Sequence, residues 1–352
     1  MPAVAWPPAH NRPSALTRTG KAGKLNDNGR TAIAPGLADS APVPKSRIRA
    51  AVRSRKPIIL PLTASMVFPS MMCHYARAAD RLQIEATSFN IRTSEAQDGP
   101  NQWEYRKELV CRVIRQIGGD FVGLQEVQPD QALYLRLTMS EYAYLGRTRE
   151  VDPHVGEAVP LLYREERWKL DPVEHGTFWL SKTPQVPGSR SWWNLCPRIV
   201  TWGRFIERTT ERGVYVYNAH FSHISEPSRR KSAALLATRI AERDRREPVI
   251  VLGDFNAGEA SAAIRYLKGN PSNGPVRLID TFRALLPDAS ETATFNAFRG
   301  TRTGAKIDYV FATPSARIVD ARILRWHEGG RYPSDHFPVT ATVAFPASAV
   351  DR

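Results

Sequence analysis

The chain has 352 residues, of which 42% are hydrophobic, and it carries a formal net charge of +14. The composition is that of an ordinary globular protein with one large or two small domains, and the lack of a fixed period excludes a repeat architecture. The charge does not indicate a nucleic-acid-binding domain. Residues 1–78 hold 12 of the 49 Lys and Arg residues and 2 of the 35 Asp and Glu residues, so the rest carries a net charge of only +4.

The basic N-terminal part has the order of a targeting signal. Residues 1–50 are rich in Pro, Ala, Gly and Arg without an apolar period, which predicts a disordered leader. A cluster of arginines then precedes the uncharged residues 57–73, and small residues stand three and one before a potential cleavage point. We therefore predict a cleaved signal peptide over residues 51–78 and a secreted or periplasmic domain over 79–352. A retained anchor and a segment without a targeting role are the alternatives.

From residue 81 the pattern becomes that of a folded domain. Strands are predicted where apolar residues alternate or form short runs, and helices where they recur every three or four residues. The predicted strands cover residues 82–90, 121–124, 158–163, 176–180, 199–206, 214–219, 249–252, 306–312, 318–326 and 338–345. The predicted helices cover residues 103–117, a segment that starts at Pro129, 228–241 and 260–267.

Strands outnumber helices and several follow one another directly. This argues against strict alternation of strand and helix, and it predicts two sheets with helices outside them. Between residues 81 and 345 no stretch is rich enough in Pro, Gly and Ser to be a linker, so one domain is predicted. Cys111 lies on the apolar side of the first helix and is predicted to be an unpaired core cysteine, with a disulfide to Cys196 as the alternative.

Polar side chains stand at the ends of four of the predicted strands. Asp254 and Asn256 come directly after a buried apolar strand, and side chains two apart in extended chain share a face. Asn90 and Glu126 stand at the ends of two earlier strands, and His336 precedes the last one. Such a set of carboxylates, amides and an imidazole suits the handling of a water, a metal ion or a phosphate.

Hydrolysis of a phosphate ester needs each of these groups. Glu126 offers a carboxylate to a hard divalent cation, and Asn90 offers either an amide oxygen to the cation or an amide donor to the phosphate. Asp254 and Asn256 can hold and activate a water, and His336 can serve as an acid, a base or an oxyanion partner.

Two further residues extend this set. Asp308 lies between apolar residues in a strand, where a carboxylate is costly unless it is paired, and it can fix the tautomer of a histidine. His220 ends another strand and supplies a second imidazole. Each group also has a plain structural alternative: an Asx turn for Asp254, a helix cap for Glu126 and a core hydrogen bond for His220.

Six motifs in this order resemble those of the endonuclease/exonuclease/phosphatase superfamily, which includes nucleases, phosphatases and sphingomyelinases. The motifs are Ser88-Phe-Asn-Ile, Gly123-Leu-Gln-Glu-Val, Tyr217-Asn-Ala-His-Phe, Leu252-Gly-Asp-Phe-Asn, Lys306-Ile-Asp-Tyr-Val-Phe and Tyr332-Pro-Ser-Asp-His-Phe-Pro. The resemblance is closest to a bacterial branch of uncharacterised phosphohydrolases. It implies a four-layer α/β sandwich, in which two central mixed β-sheets are flanked by helices and the site lies at the strand ends.

The resemblance also implies roles for individual residues. Glu126 would be the main ligand of Mg²⁺, with Mn²⁺ as the alternative ion, and Asn90 and Asp335 would lie beside it. Asp254 and Asn256 would position the attacking water and the phosphate.

Other residues would act on the phosphate from the second sheet. Asp308 would orient His336, and His220 would contact the phosphate or the leaving group. Glu157 matches a carboxylate that supports this histidine in some members. Arg198 resembles a phosphate-contacting arginine, with a surface-charge role as the alternative.

The sequence is compatible with more than one class of phosphate ester. We predict a monomeric hydrolase of a phosphate ester, on a small molecule or nucleic acid, without stable membrane insertion after signal cleavage. Trp179 could stack on a base or sugar or simply belong to the core, and Asn296 could add a substrate contact. A lipid substrate would need an exposed apolar hairpin, and the only candidate, Trp192-Trp193, could equally cover a core edge.

Two alternative functions remain from the sequence. Abasic-site nucleases carry an acidic residue two positions after the first-strand asparagine, where this chain has Arg92, so that particular nuclease activity is not expected. A nuclease acting on DNA or RNA is the alternative within the same chemistry. A binding module that has lost the reaction is the alternative of another class, and it would be expected to lack one of the catalytic groups.

Overall fold

The computed structural model describes residues 81–271 and 274–347. The predicted leader and signal peptide lie outside these residues and stay predictions. In chain order the strands are β1 (Leu82–Asn90), β2 (Phe121–Gln125), β3 (Ala143–Leu145), β4 (Leu161–Tyr163), β5 (Trp168–Trp179), β6 (Ile199–Glu207), β7 (Gly213–His220), β8 (Val249–Asp254), β9 (Ile279–Asp280), β10 (Asp308–Ala312), β11 (Arg317–Ile323) and β12 (Val339–Phe345). The helices are α1 (Trp103–Ile117), α2 (Pro129–Thr138), α3 (Glu226–Ala241), α4 (Ala262–Leu267) and α5 (Thr281–Leu285), and a 3₁₀ turn covers Gly99–Asn101.

The strands form two six-stranded mixed sheets. The first has the order β11-β12-β1-β2-β4-β3 and the second the order β5-β6-β7-β8-β10-β9. The pairs β1–β2 and β7–β8 are parallel, and the other neighbours within the sheets are antiparallel. Because parallel strands end at the same edge of a sheet, each sheet brings two carboxyl ends together.

Three layers of apolar side chains hold the sheets and helices together. The inner faces of both sheets share one core, in which Ile84 of β1 and Val216 of β7 are fully buried. A second core lies between the first sheet and α1 and α2, and a third between the second sheet and α3 and α4. The predicted four-layer α/β sandwich is therefore confirmed.

Helix α1 has the bounds that its apolar period predicts. Leu109, Val110, Val113 and Ile114 recur at helical spacing on its buried face. The helix ends at Gly118, which has a φ of 69°, a left-handed conformation that glycine adopts without a steric penalty.

A polar contact crosses between the sheets near their strand ends. Gln125 of β2 donates from Nε2 to Asn218 Oδ1 of β7 at 2.7 Å. The Asn218 amide donates in turn to the carbonyls of Leu124 and Pro160 at 2.8 and 2.7 Å. These buried amides would lose their hydrogen-bond partners in any other arrangement. They therefore fix the position of one sheet relative to the other.

Several element boundaries differ from the prediction. Strands β3 and β9 and helix α5 were not predicted, and β5 begins at Trp168 rather than at residue 176. Strand β4 begins at Leu161, because Ala158 makes only isolated bridges, and β11 ends at Ile323 rather than at 326.

Two cysteines lie within the described residues. Cys111 is buried in the core under α1, and both it and Cys196 are free, as predicted. Burial raises the pKa of the Cys111 thiol to about 11, which makes it unreactive.

Among the described helices, none has both the length and the apolar character needed to cross a bilayer.

Candidate active site

The register of the second sheet places three candidate residues side by side. On β8, Asp254 lies opposite His220 of the parallel strand β7 and opposite Asp308 of the antiparallel strand β10. Directly paired residues on neighbouring strands point to the same face, so the three side chains meet at one edge. All three are at most 3% exposed.

His336 joins this group from the loop before β12. Its Nδ1 lies 2.9 Å from Asp308 Oδ2, and its Nε2 lies 3.9 Å from Asp254 Oδ2. Burial alone would lower the pKa of His336, but the carboxylates of Asp308, Asp254 and Asp335 outweigh it and raise the pKa well above the usual value. The imidazole is therefore held as a cation between two carboxylates.

Asp308 is itself fixed by its neighbours. Thr294 Oγ1 accepts from the backbone N–H groups of Ile307 and Asp308 at 3.0 and 3.1 Å. Asp308 Oδ1 finds no hydrogen-bond donor among the described residues. A buried carboxylate with one free oxygen suits the orientation of an imidazole, as predicted from the strand pattern.

Asp254 is the carboxylate most suited to proton transfer near neutral pH. Asn90 Nδ2 donates to its Oδ2 at 3.1 Å, and the backbone N–H of Asn256 donates to its Oδ1 at 2.9 Å. Burial, and after it the negative charge of Asp308, raise the pKa of Asp254 to about 7. The bond to Asn256 is that of an Asx turn, so the structural interpretation of Asp254 is confirmed, and its role toward a water stays a prediction.

His220 has the opposite electrostatic surroundings to His336. Burial and the positive charge of Arg198 lower the pKa of His220 well below its usual value, so this imidazole is neutral. Arg198 Nη1 lies 2.9 and 2.8 Å from the two ring nitrogens, and its Nη2 lies 2.9 Å from His223 Nδ1. Arg198 is 5% exposed and faces the site, so the surface-charge alternative is excluded.

Glu157 lies farther from His220 than the resemblance implies. Its Oε2 is 4.0 Å from His220 Nδ1, while Arg149 Nη1 donates to the same oxygen at 2.5 Å. Glu157 is thus paired with Arg149 and approaches the histidine without a hydrogen bond.

Glu126 and Asp335 form the acidic side of the site. Glu126 has a φ of 61° directly after β2, and Asn90 Nδ2 and the backbone N–H of Thr93 donate to its two oxygens at 3.0 and 3.1 Å. The pKa of Glu126 is lowered, because these bonds and the charge of His336 outweigh its burial. Burial, and then the negative charge of Glu126, raise the pKa of Asp335.

Asn90 lies beside Glu126, as the resemblance implies. Its amide nitrogen faces Glu126 and Asp254, and its oxygen accepts from the backbone N–H of Arg92 at 3.0 Å. Asn90 therefore holds the two carboxylates by donation in this structure, and its role as a metal ligand stays a prediction.

The structure corrects two predicted substrate contacts. Trp179 packs in a small core, donates to the Arg149 carbonyl at 2.6 Å and has Arg147 5.0 Å from its ring centroid, so it has no free face for stacking. Asn296 is 1% exposed, and its backbone and side-chain N–H groups donate to the carbonyls of Asp335 and Ser334. Asn296 positions the segment that carries His336.

Residues missed from the sequence complete the rim. Phe295 is 46% exposed, and its ring centroid lies 5.2 Å from that of His336. His223, three residues after His220, contacts Arg198 as described above. A single histidine at that spacing does not by itself predict a functional site.

Trp193 is 80% exposed, so it does not cover a core edge.

The donors fit a hard divalent cation. The carboxylates of Glu126, Asp254, Asp308 and Asp335 converge here, and so much negative charge is costly without a compensating cation. Ligand atoms of Asp254, Asp308 and His336 lie within 4.8 Å of one another. Because the imidazolium of His336 has no lone pair to offer and already pairs with Asp308, the carboxylate oxygens around it are the better ligands for such a cation.

Comparison with known proteins agrees with this geometry. Residues 87–336 match the model described as the endonuclease/exonuclease/phosphatase family. A structure of that description from Bacteroides vulgatus is 32% identical, with a TM-score of 0.66 over 74% of this chain and 98% of the other.

Two further relatives share part of the sequence. A mannosyl-6-phosphatase from Bacteroides thetaiotaomicron is 27% identical, with a TM-score of 0.66 over 74% of this chain and 100% of the other. An uncharacterised protein of Acanthamoeba polyphaga mimivirus is 27% identical over 169 residues, which are 45% of this chain and 60% of that relative.

Proposed function

Because the chain belongs to the endonuclease/exonuclease/phosphatase family, we propose that it is a divalent-metal-dependent hydrolase that cleaves a phosphate ester by in-line attack of a water. The observation that carries the proposal is the buried pair of His336 and Asp308 at 2.9 Å, with Asp254 on the other side of the imidazole. This arrangement provides a base and a cationic acid within one small site.

The chain's own groups divide the work between them. Asp254, ionised above a pKa of about 7, accepts the proton of the attacking water, and Asn256 helps to position that water. The imidazolium of His336 donates to the phosphate oxygens, where negative charge develops. His220 is neutral and Arg198 is cationic, so together they offer a hydrogen-bonding and a charged contact to the ester.

We propose that Glu126 and Asp335 hold the metal ion. Both are carboxylates beside the His336–Asp254 pair, and Glu126 is kept ionised by its hydrogen bonds. Mg²⁺ is the expected ion, with Mn²⁺ as the alternative, because both prefer oxygen ligands. When bound, the ion would neutralise charge on the phosphate.

We propose a phosphomonoester of a small polar molecule, such as a sugar phosphate, as the substrate. Two observations support this choice over nucleic acid. The net charge of residues 79–352 is only +4, whereas nuclease affinity depends on many phosphate contacts by Lys and Arg. The relative from Bacteroides thetaiotaomicron is described as a mannosyl-6-phosphatase.

Release of phosphate or cleaved product from a substrate panel tests the proposal. The panel contains hexose 6-phosphates, nitrophenyl phosphate, bis(nitrophenyl) phosphate, single- and double-stranded DNA, RNA and phospholipid vesicles, each with Mg²⁺ or with a chelator. We expect hydrolysis that is fastest on the hexose phosphates and is abolished by the chelator. Faster cleavage of nucleic acid would support the nuclease alternative, and no cleavage of any substrate would support the binding module.

The variant His336→Ala assigns the activity to this site. Loss of an acid or oxyanion donor is expected to lower the rate by about 10²–10⁴-fold. His327→Ala is the matched control, because His327 is exposed and lies outside the site. Equal rates in the two variants would contradict the assignment.

A further inference from the structure

Arg92 reaches both carboxylates that are proposed to hold the metal ion. Its Nε lies 3.7 Å from Asp335 Oδ2, and its Nη1 lies 4.0 Å from Glu126 Oε2. Asp98 holds the guanidinium from the other side, accepting from Nε and Nη2 at 3.0 and 3.1 Å. This two-point contact fixes a permanent positive charge at the acidic side of the site.

The backbone of Arg92 is fixed as firmly as its side chain. Its φ is 57°, and its N–H donates to Asn90 Oδ1 at 3.0 Å. Its carbonyl accepts from Arg106 Nη2 at 2.8 Å and from Gln131 Nε2 at 2.9 Å. Arg106 is 1% exposed and also donates to the Pro333 carbonyl, which ties the Arg92 turn to the segment that carries Asp335. These backbone contacts and the two-point contact with Asp98 hold the guanidinium at the edge of the site, with 32% of the side chain exposed.

We propose that Arg92 takes the place of a second cation, so that the site binds one divalent ion and rejects another. The inference rests on the metal dependence proposed above. Two-metal hydrolytic sites place their ions about 4 Å apart between shared carboxylates. Here guanidinium nitrogens of Arg92 lie 3.7 Å from Asp335 Oδ2 and 4.0 Å from Glu126 Oε2, so the positive charge neutralises part of the charge of both carboxylates and repels a further ion near them.

Binding of Mn²⁺ to the full chain without substrate tests this inference. Titration followed by the electron paramagnetic resonance of free Mn²⁺ gives the number of ions and their affinities. We expect one ion for the natural chain. In Arg92→Gln, which removes the charge, we expect the first ion to bind about tenfold more tightly and a second ion to become measurable.

Two variants separate charge from structure. Arg92→Lys keeps the positive charge but loses the two-point contact with Asp98, so we expect it to retain one ion, with an affinity between those of the natural chain and Arg92→Gln. Arg92→Met is a second neutral variant, used in place of Arg92→Gln if that chain does not fold, as judged by circular dichroism. Two ions in the natural chain, or the same number and affinity in the folded neutral variant, would overturn the inference.

This result is independent of the substrate. A chain that hydrolyses none of the tested esters but shows one ion in its natural form and two in Arg92→Gln would refute the proposed activity and keep the inference. A chain that hydrolyses a phosphate ester but takes two ions in its natural form would support the proposed activity and refute the inference about Arg92.

Discussion

The two imidazoles of the site differ in charge although both are buried. His220 lies beside Arg198, and its pKa is lowered, whereas three carboxylates raise the pKa of His336. The same side chain is thus a neutral hydrogen-bonding group in one place and a cation in the other. Where titratable groups in one pocket have their pKa values shifted apart, their roles as acid and base follow from the surroundings.

The substitution Asp308→Asn tests the role of this carboxylate. It removes the charge that faces His336 Nδ1 at 2.9 Å and lowers the pKa of the imidazole. We expect the rate of ester hydrolysis to fall by about 10²-fold or more, with little change in circular dichroism. Asp288→Asn changes an exposed aspartate and serves as the control. A variant with more than half of the natural rate would show that Asp308 does not act on His336.

The pH dependence of hydrolysis reports on Asp254. Its pKa is raised to about 7, and a carboxylate that accepts a proton must first be ionised. We therefore expect kcat/KM to rise about tenfold per pH unit below pH 7 and to level off above it. In Asp308→Asn one cause of the raised pKa is gone, so the inflexion should move to lower pH. A natural profile that is flat between pH 5 and 8 would contradict the role of Asp254 as base.

Strands β7, β8 and β10 bring the second sheet's part of the site together by register alone. His220, Asp254 and Asp308 are directly opposite one another across these strands. A shift of one residue in β8 would turn Asp254 to the other face of the sheet. The positions of these three side chains relative to one another therefore depend on how closely β7, β8 and β10 pack.

The substitution Gly253→Ala tests this packing. A Cβ at residue 253 would lie 2.4 Å from the Ala219 carbonyl oxygen of β7, closer than any real contact. We expect a loss of about 1–3 kcal/mol in the free energy of unfolding and a large loss of activity, since Asp254 moves with β8. Denaturant unfolding measures the first and the ester assay the second.

Gly176→Ala is the control for this experiment. The nearest atom to a Cβ at residue 176 is Trp202 Nε1 at 3.7 Å, an ordinary contact. Equal stability of the two variants would show that the β7–β8 contact does not limit the packing.

The sequence predicted those elements whose apolar pattern is long enough to be distinctive. Helix α1 has its predicted bounds, and β1 and β7 are close to theirs. The strands that were missed have only two or three residues, too few to show a period. The first half of β5 was missed because it contains Pro172 and several charges and has an irregular register between Leu170 and His175.

The sequence predicted which residues form the candidate site better than it predicted their contacts. The residue types at strand ends and the motif order were enough to name Glu126, Asp254 and His336, which the structure brings together. The hydrogen-bond direction of Asn90 and the burial of Trp179 were not predictable. Each depends on contacts with residues distant in sequence, which a local pattern does not encode.

The site forms where the two sheets meet. Asn90 and Glu126 come from the first sheet, and Asp254 and Asp308 come from the second. The hydrogen bond from Asn90 to Asp254 and the inter-sheet contact of Gln125 with Asn218 join the two halves. A single fold therefore produces both the shared core and the convergence of carboxylates.

The signal peptide predicted over residues 51–78 lies outside the described residues, and we propose that it directs export. Both sheets and every proposed site residue lie within residues 81–347, so we expect a chain without residues 1–78 to retain the site. Expressed in a bacterium with a periplasm, the full chain is expected there with a new N-terminus near residue 79, because a basic segment precedes an apolar run and small residues. A chain that starts at residue 79 should stay in the cytoplasm with the same specific activity. Cell fractionation with N-terminal sequencing measures both, and an uncut full chain in the cytoplasm would contradict the signal.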